Sequence, residues 1–317
     1  MYSFIKVRFL VLLTVLLALV ACDNKAEKQT PVKTITIEHS QGKTEVPDNP
    51  QKVVVFNIAT LDIIDALNIP VTAVPQSDVH LPDFLSKYSN NSYTNVGTLF
   101  EPNYEVLSSI QPDLIVAGGR TTDVYNKLSE IAPTISLDID STDFLTSLTQ
   151  RTQQLGTIFH KEDEAKKLID DFNQKIAQLK PKTSTAGTAL VIMVNGGKMS
   201  AYSSKSRFGF VFDQLGFEPA TTFQDAGRHG NAVTSEFILS VNPEWLFVLD
   251  RDNAIGNKEA QSAQQVLDNE LIQKTAAWQH NHVIYLDSTS MYIAGGIQTY
   301  SRLLDQLNEV LQKTSSN

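Results

Sequence analysis

The strongest constraint in this chain is a string that occurs twice with the same internal spacing. Glu105-Val-Leu-Ser-Ser-Ile-Gln-Pro112-Asp-Leu-Ile-Val-Ala-Gly-Gly-Arg120 reads as a short helix, a proline turn and a buried strand, and Glu236-Phe-Ile-Leu-Ser-Val-Asn-Pro243-Glu-Trp-Leu-Phe-Val-Leu-Asp-Arg251 repeats it. Glutamate to proline is seven positions in both copies, and glutamate to arginine is fifteen. A second pair supports the first. Val53-Val54-Val55-Phe56 is a β-branched run suited to a buried parallel strand, and residues 61–67 follow as a helix ending near Asn68 and Pro70. Residues 190–194 repeat the strand and residues 208–215 the helix, which ends at Gly216. Locally, Asp65-Ala-Leu-Asn-Ile69 matches Asp213-Gln-Leu-Gly-Phe217. The pattern predicts two α/β lobes of one design.

Between the copies lies one long amphipathic segment. Glu162, Asp163 and Glu164 open it, Lys175 and Lys180 lie near its end, and Pro181 is expected to stop it, a charge order that suits the helix dipole. Ala165, Leu168, Ile169, Phe172, Ile176 and Leu179 form one apolar stripe. A helix in this position reads as a stiff spine along both lobes, which disfavours a large hinge motion. After the second repeat, residues 259–275 read as a helix, 283–286 as a strand and 301–312 as a closing helix. The expected fold is therefore α/β, two Rossmann-like lobes joined by one long α-helix with a ligand cleft between the lobes. The expected boundaries are a leader at 1–21, a tether and lead-in at 22–50, an N-terminal lobe at 51–160, the linker helix at 161–181 and a C-terminal lobe at 182–317.

Composition narrows the function. At 317 residues, with 42% hydrophobic and 19% charged, the chain can bury a full core and is not a disordered polymer. A formal charge of −9 disfavours nucleic acid and anionic membrane faces as partners, without excluding a local basic pocket. One cysteine excludes an intrachain disulfide, a CxxC redox pair and a cysteine zinc site. That cysteine closes the string Leu19-Val-Ala-Cys22, behind Lys6, Arg8 and an apolar run too short to span a bilayer. The arrangement resembles a bacterial lipobox, with residues 1–21 removed and Cys22 acylated. Residues from Asp23 to about Thr34 read as a polar tether. By analogy with lipoproteins of Gram-negative bacteria, Asp23 implies retention in the inner membrane, so the body is expected in the periplasm.

Open α/β sheets bind ligands outside the carboxyl ends of their strands. Arg120 and Arg251 each follow such a strand, so facing lobes would aim both into one cleft. The stretch from Asn195 to Asp213 is ten residues longer than its counterpart from Asn57 to Asp65, and the insertion carries Lys198, Lys205 and Arg207. Three arginines from loops of an acidic protein point to an oxygen-rich anionic ligand, because guanidinium is permanently charged and offers planar donors. Arg151, Arg228 and Arg302 read as solvated surface or helix-end residues. His229 lies in the loop Asp225-Ala-Gly-Arg-His-Gly-Asn231, and Tyr292 in Asp287-Ser-Thr-Ser-Met-Tyr-Ile-Ala-Gly-Gly296. From spacing alone they read as a loop histidine and a pocket-lining tyrosine, although imidazole and phenolate are acceptable ferric ligands. His39, His80, His160, His280 and His282 form no metal motif, and His280-Asn-His282 reads as a turn before a strand.

Taken together, these features resemble the class III periplasmic substrate-binding proteins of ABC importers, over nearly all of the chain from about Val53. The strings Asn95-Val-Gly-Thr-Leu-Phe-Glu-Pro-Asn-Tyr-Glu105, Ala117-Gly-Gly-Arg120, Ser206-Arg-Phe-Gly209, Gly227-Arg-His-Gly230, Leu249-Asp-Arg251 and Tyr292-Ile-Ala-Gly-Gly296 are most similar to the binding proteins for ferric catecholate siderophores of the enterochelin, petrobactin and vibriobactin type. The resemblance implies a monomeric, non-enzymatic receptor with no intrinsic cofactor, its ferric ion arriving inside the siderophore. It implies that Arg120, Arg207 and Arg251 hold the negative iron–catecholate core. His229 and Tyr292 would complete the iron shell when the siderophore supplies four donors. Glu105 and Glu236 would dock the two lobes onto an ABC permease and ATPase complex. Haem or cobalamin capture on the same fold is the near alternative. A metal-assisted hydrolase built on His229 is the distant one, against which stands the lack of GxSxG, HExxH and P-loop strings.

Overall fold

The computed structural model describes residues 33–223 and 229–315. The leader, Cys22 and most of the expected tether lie outside the described residues, as does Arg228. From Thr34 onward the chain forms one compact unit. Among the described residues no helix is long and apolar enough to cross a membrane.

Two sheets carry the fold. The strands are β1 Thr34–His39, β2 Gly42–Pro47, β3 Val53–Val55, β4 Ala73–Val74, β5 Thr94–Asn95, β6 Leu114–Ala117, β7 Thr134–Ser136, β8 Thr188–Asn195, β9 Lys198–Tyr202, β10 Glu218–Pro219, β11 Asn231–Val233, β12 Trp245–Asp250 and β13 Val283–Tyr285. The first sheet runs β5-β4-β3-β6-β7 and is parallel throughout. Its central strands β3 and β6 are buried at every residue, as uninterrupted Val, Ile and Leu runs should be when both faces of a sheet are covered. The second sheet runs β11-β9-β8-β12-β13, with β10 also paired to β8. In each sheet the strand that opens the lobe lies beside the strand of the repeated string, β3 beside β6 and β8 beside β12. Strand order reverses at the first of these pairs, which is where such sheets open a crevice.

The repeated helices are alike in detail. Tyr104–Ile110 and Ser235–Val241 are both seven residues long. Asn103 and Thr234 cap their starts through side-chain oxygens, and Gln111 and Asn242 end them in the left-handed region. Helix Glu162–Thr183 packs against Phe144–Phe159 of the first lobe and against Ile297–Ser315 of the second. At 22 residues it is about 33 Å long. Its stripe is buried as expected, with Leu168 half-buried and Thr183 added. Lys175 pairs with Asp305 at 2.7 Å across the spine.

A further lock joins the lobes. The buried carboxylate of Asp62, in helix Ile58–Ala66, accepts from Gln298 N (2.7 Å), Thr299 N (3.0 Å) and Thr299 Oγ1 (2.7 Å) at the start of the last helix. Gly296 passes so close that a Cβ there would sit 2.5 Å from Ala59 O and 2.6 Å from Asp62 Cβ. One continuous apolar cluster runs from Ile37 to Leu311 through both lobes. Shared core, spine and cap together tie the two lobes to each other.

Several expectations are corrected. Pro181 does not end the spine, which continues to Thr183. A proline this late removes a single backbone bond, and buried Leu179 and Thr183 hold the final turn. Within the lead-in, β1 and β2 form an antiparallel hairpin that buries Ile37 and Val46 beside β7. The helix at 259–275 shrinks to Ala263–Leu267 and a turn at Ile272–Lys274. There Asn269 Oδ1 accepts from Leu271 N and Ile272 N, offering the backbone an alternative to helix. The inserted stretch after Asn195 is not all loop, since its first half pairs with β8 as β9. The last helix spans Ile297–Ser315, longer than expected, because its cap comes from Asp62 in the other lobe.

Candidate functional site

Each expected arginine is held by a local device that the sequence supplies. Arg120 stands on a tight turn, Gly119–Val124, directly after β6. Gly118 enters that turn at φ 117°, and a Cβ there would meet Asp138 Oδ1 at 2.5 Å and Asn57 Nδ2 at 2.7 Å. Gly119 N then donates to Asp138 Oδ1 at 2.6 Å. Arg251 opens the short helix Arg251–Ala254 after β12, capped by Asp250, whose Oδ1 accepts from Asn253 N at 2.9 Å. Arg207 lies in the turn between β9 and helix Phe210–Asp213, beside Ser206, whose hydroxyl donates to Ser203 O at 2.6 Å. Tyr292 sits in a π-helical turn, Ser290–Ala294, ended by left-handed Gly295 and anchored by Ser290 N donating to Asp287 Oδ1 at 3.1 Å.

The three arginines converge on that one tyrosine. Arg251 Nε donates to Tyr292 Oη at 2.9 Å, and Arg251 Nη1 to Asn195 Oδ1 at 3.0 Å. Arg207 Nη2 and Arg120 Nη2 both donate to the Tyr292 carbonyl, at 3.1 and 3.4 Å. All three guanidiniums also lie over the Tyr292 ring, at 4.8 Å for Arg207, 5.5 Å for Arg251 and 5.7 Å for Arg120. Arg120 comes from the first lobe and the other two from the second, so the cluster spans the cleft. Arg120 and Arg251 are half-buried, and Arg207 is exposed.

Three like charges this close leave an electrostatic signature. Burial depresses the Arg120 guanidinium, and the charges of Arg207 and Arg251 add to the effect. Burial alone would push the Tyr292 phenol up. The hydrogen bond from Arg251 and the charges of Arg251, Arg207 and Arg120 outweigh it and hold the phenol below its ordinary value. Three guanidinium groups around a phenol biased toward ionisation suit an oxygen-rich anion.

The structure keeps the other candidates further apart. His229 is exposed, and its carbonyl accepts from Tyr202 Oη at 3.2 Å. Tyr202 is near enough for Arg207, Tyr292 and Arg251 to act on its phenol, so His229 borders the cluster, but its imidazole is not among the groups described as touching Tyr292. Glu105 and Glu236 are exposed in the first turns of the matched helices, and Glu236 edges a shallow hollow shared with Lys198, Thr234, Asn269 and Leu271. Arg151 is not plain surface, since its Nε donates to Asp138 O at 3.1 Å.

Two site residues escaped sequence reasoning. Phe100 is 63% exposed, the most open large apolar side chain described, and its ring lies 5.8 Å from the Arg120 guanidinium. Asn195, at the end of β8, orients Arg251. Its counterpart Asn57 caps Ile58–Ala66 and donates to Asp138 Oδ1. The paired asparagines after the matched strands were the available signal.

Known proteins share this arrangement of lobes. The sequence profile of the periplasmic binding protein family matches residues 53–289. The petrobactin-binding protein of Bacillus subtilis is 36% identical over 301 residues, 92% of this chain and 94% of that protein. Its crystal structure superposes with a TM-score of 0.83 at 37% identity, covering 88% of this chain and 99% of that one. The ferric-anguibactin-binding protein of Vibrio anguillarum is 33% identical over 91% of this chain and 92% of its own. The periplasmic catecholate-siderophore binding protein of Vibrio cholerae superposes with a TM-score of 0.81 at 31% identity, over 87% of this chain and all of that one. With its fold, coverage and identity in agreement, this chain belongs to the periplasmic binding protein family.

Proposed function

We propose that this protein captures ferric catecholate siderophores between its lobes and delivers them to an ABC permease for iron uptake. The observation that carries the reading is the convergence of Arg120, Arg207 and Arg251 on Tyr292. A ferric catecholate complex is anionic, and three guanidiniums in a half-buried cleft supply matching charge and planar donors. Relatives named for petrobactin, anguibactin and catecholate siderophores support the ligand class. Phe100 offers a flat apolar face to a catechol ring at the mouth. Iron travels as cargo within the ligand. When a siderophore leaves iron positions open, Tyr292 phenolate, biased toward ionisation by the arginines around it, would supply one donor and His229 a second. The family is one of binding proteins rather than enzymes, so no turnover is expected.

Delivery follows from the exposed acids. Glu105 and Glu236 stand at equivalent positions on the two lobes and would pair with basic residues of two permease subunits. A lipid on Cys22 would hold the protein at the outer face of the inner membrane, as a monomer, within reach of that permease.

Parallel titrations of the protein with a ferric triscatecholate, haemin and cobalamin, followed by intrinsic fluorescence, test the reading. Saturable quenching at micromolar triscatecholate is expected. Its absence, or tighter binding of haemin or cobalamin, would overturn it.

A further inference from the structure

A second cluster lies at the opposite ends of the C-terminal strands, away from the arginines. Arg251 follows the carboxyl end of β12, whereas Glu244 immediately precedes its amino end. His280 and His282 flank Asn281 in the turn before β13, which pairs in parallel with β12. Asn281 adopts a left-handed conformation (φ 58°), which folds the turn back toward Glu244. One ligating atom from each of Glu244, His280 and His282 falls within 4.8 Å of the others.

The orientation of His282 matters most. Its Nδ1 lies 3.1 Å from the Glu244 carbonyl, which can only accept, so Nδ1 carries the proton and donates. That leaves the lone pair on Nε2, and Nε2 is buried with no hydrogen-bond partner among the described residues. A buried acceptor without a partner is costly and needs a reason. Metal-binding histidines are commonly fixed in this way, with one ring nitrogen donating to a backbone carbonyl and the other presented to the ion. The ring is also clamped flat on Trp245, with centroids 3.9 Å apart and planes at 3°. His280 is exposed, its Nδ1 is 3.2 Å from Glu244 Oε2, and its ring meets that of His282 edge-on at 5.7 Å.

We infer that Glu244, His280 and His282 form a surface site for a divalent transition ion of the zinc, nickel or copper class. Two imidazoles and one carboxylate suit these borderline ions, whereas calcium and magnesium require oxygen ligands. Three protein donors leave a position open to water. The site is separate from siderophore capture and stands or falls independently of it.

Trp245 provides the readout, because its indole stacks on a proposed ligand. The tag-free protein is titrated with nickel chloride, following tryptophan fluorescence, and zinc chloride is then added as a competitor. Saturable quenching at one ion per chain, reversed by zinc, is expected. His280→Ala and Glu244→Gln alter side chains that are exposed or half-buried, and each is expected to weaken nickel at least about tenfold. Melting curves confirm that both variants fold, and Arg120→Met serves as a control whose nickel affinity is unchanged. Quenching that never saturates, or an affinity unaltered in either ligand variant, would overturn the site.

Discussion

Replacing Arg120 with methionine should leave the unliganded protein about as stable as before while sharply weakening ligand capture. Arg120 Nη2 and Arg207 Nη2 reach one oxygen at 3.4 and 3.1 Å, so these nitrogens lie at most 6.5 Å (3.4 + 3.1) apart. Unit charges at that separation repel by about 0.6 kcal/mol in bulk water and about 2.5 kcal/mol at an effective dielectric of about 20. Because Arg207 is exposed, the relief on removing one charge lies toward the lower value, about 1 kcal/mol. Against it stand one long hydrogen bond and cation–π contacts to Phe100 and Tyr292, together worth about 1 kcal/mol. Methionine keeps a flexible apolar stem against both rings. The terms nearly cancel, and about 1 kcal/mol moves Tm by about 2–4 °C in a chain of this size, so Tm should stay within about 3 °C of the parent. Ligand capture has no such offset. Losing one charge-assisted hydrogen bond costs about 1.5–3 kcal/mol, or about ten- to a hundredfold in Kd. Differential scanning fluorimetry of the unliganded pair and titration with a ferric triscatecholate measure the two effects. A Tm drop beyond about 6 °C with unchanged affinity would refute the reasoning and make Arg120 a strut between lobes.

Three other outcomes follow. Tyr292→Phe should weaken a tetradentate ferric catecholate at least about tenfold more than a hexadentate one, since only the former leaves iron positions for the phenolate, and equal losses in titration would remove direct ligation. Asp62→Ala should lower stability by about 2 kcal/mol at pH 7 in urea unfolding, because it leaves three donors at the start of the last helix without their acceptor. Burial raises the Asp62 carboxyl to about 6 against hydrogen bonds from Thr299 and Gln298, so the folded state holds its proton more tightly than the unfolded state. The stability this group contributes is therefore fully present below about pH 4 and is lost as pH rises through about 6, and the gap between parent and variant should widen on acidification; a gap that narrows contradicts that sign. Gly296→Ala should cost about 1–3 kcal/mol, because its Cβ would collide with Ala59 O at 2.5 Å, and an unchanged melting curve would show that the lobe contact yields.

What the sequence made legible was whatever is decided locally. The repeated helix, proline turn and strand follow from short-range burial and turn chemistry, so β6 and β12 emerged close to their true bounds and Arg120 and Arg251 fell at their ends. The spine was legible because its stripe and charge order are properties of one helix. Contacts made across the fold were not. Nothing near Ile297 announces a helix start, since the capping oxygens belong to Asp62, 235 residues earlier. Tyr292 could be named from its loop, but its place as the hub of three arginines depends on both lobes and a π-helical turn. Nothing in the string around Phe100 marks its role, because exposure beside a cation is a tertiary fact. His280-Asn-His282 was read as a turn, which it is. Its third partner, Glu244, arrives through strand pairing and leaves no mark on the spacing.

Recognition by the arginine cluster rests on charge, and charge can be varied with little change in size. A ferric triscatecholate carries three negative charges, whereas a ferric trihydroxamate of similar bulk carries none. Side-by-side calorimetric titration of the two at physiological ionic strength is the most direct measurement. The arginine cluster predicts that the anionic complex binds at least about a hundredfold tighter, the equivalent of one to two charge-assisted hydrogen bonds. Equal affinities, or preference for the neutral complex, would contradict it.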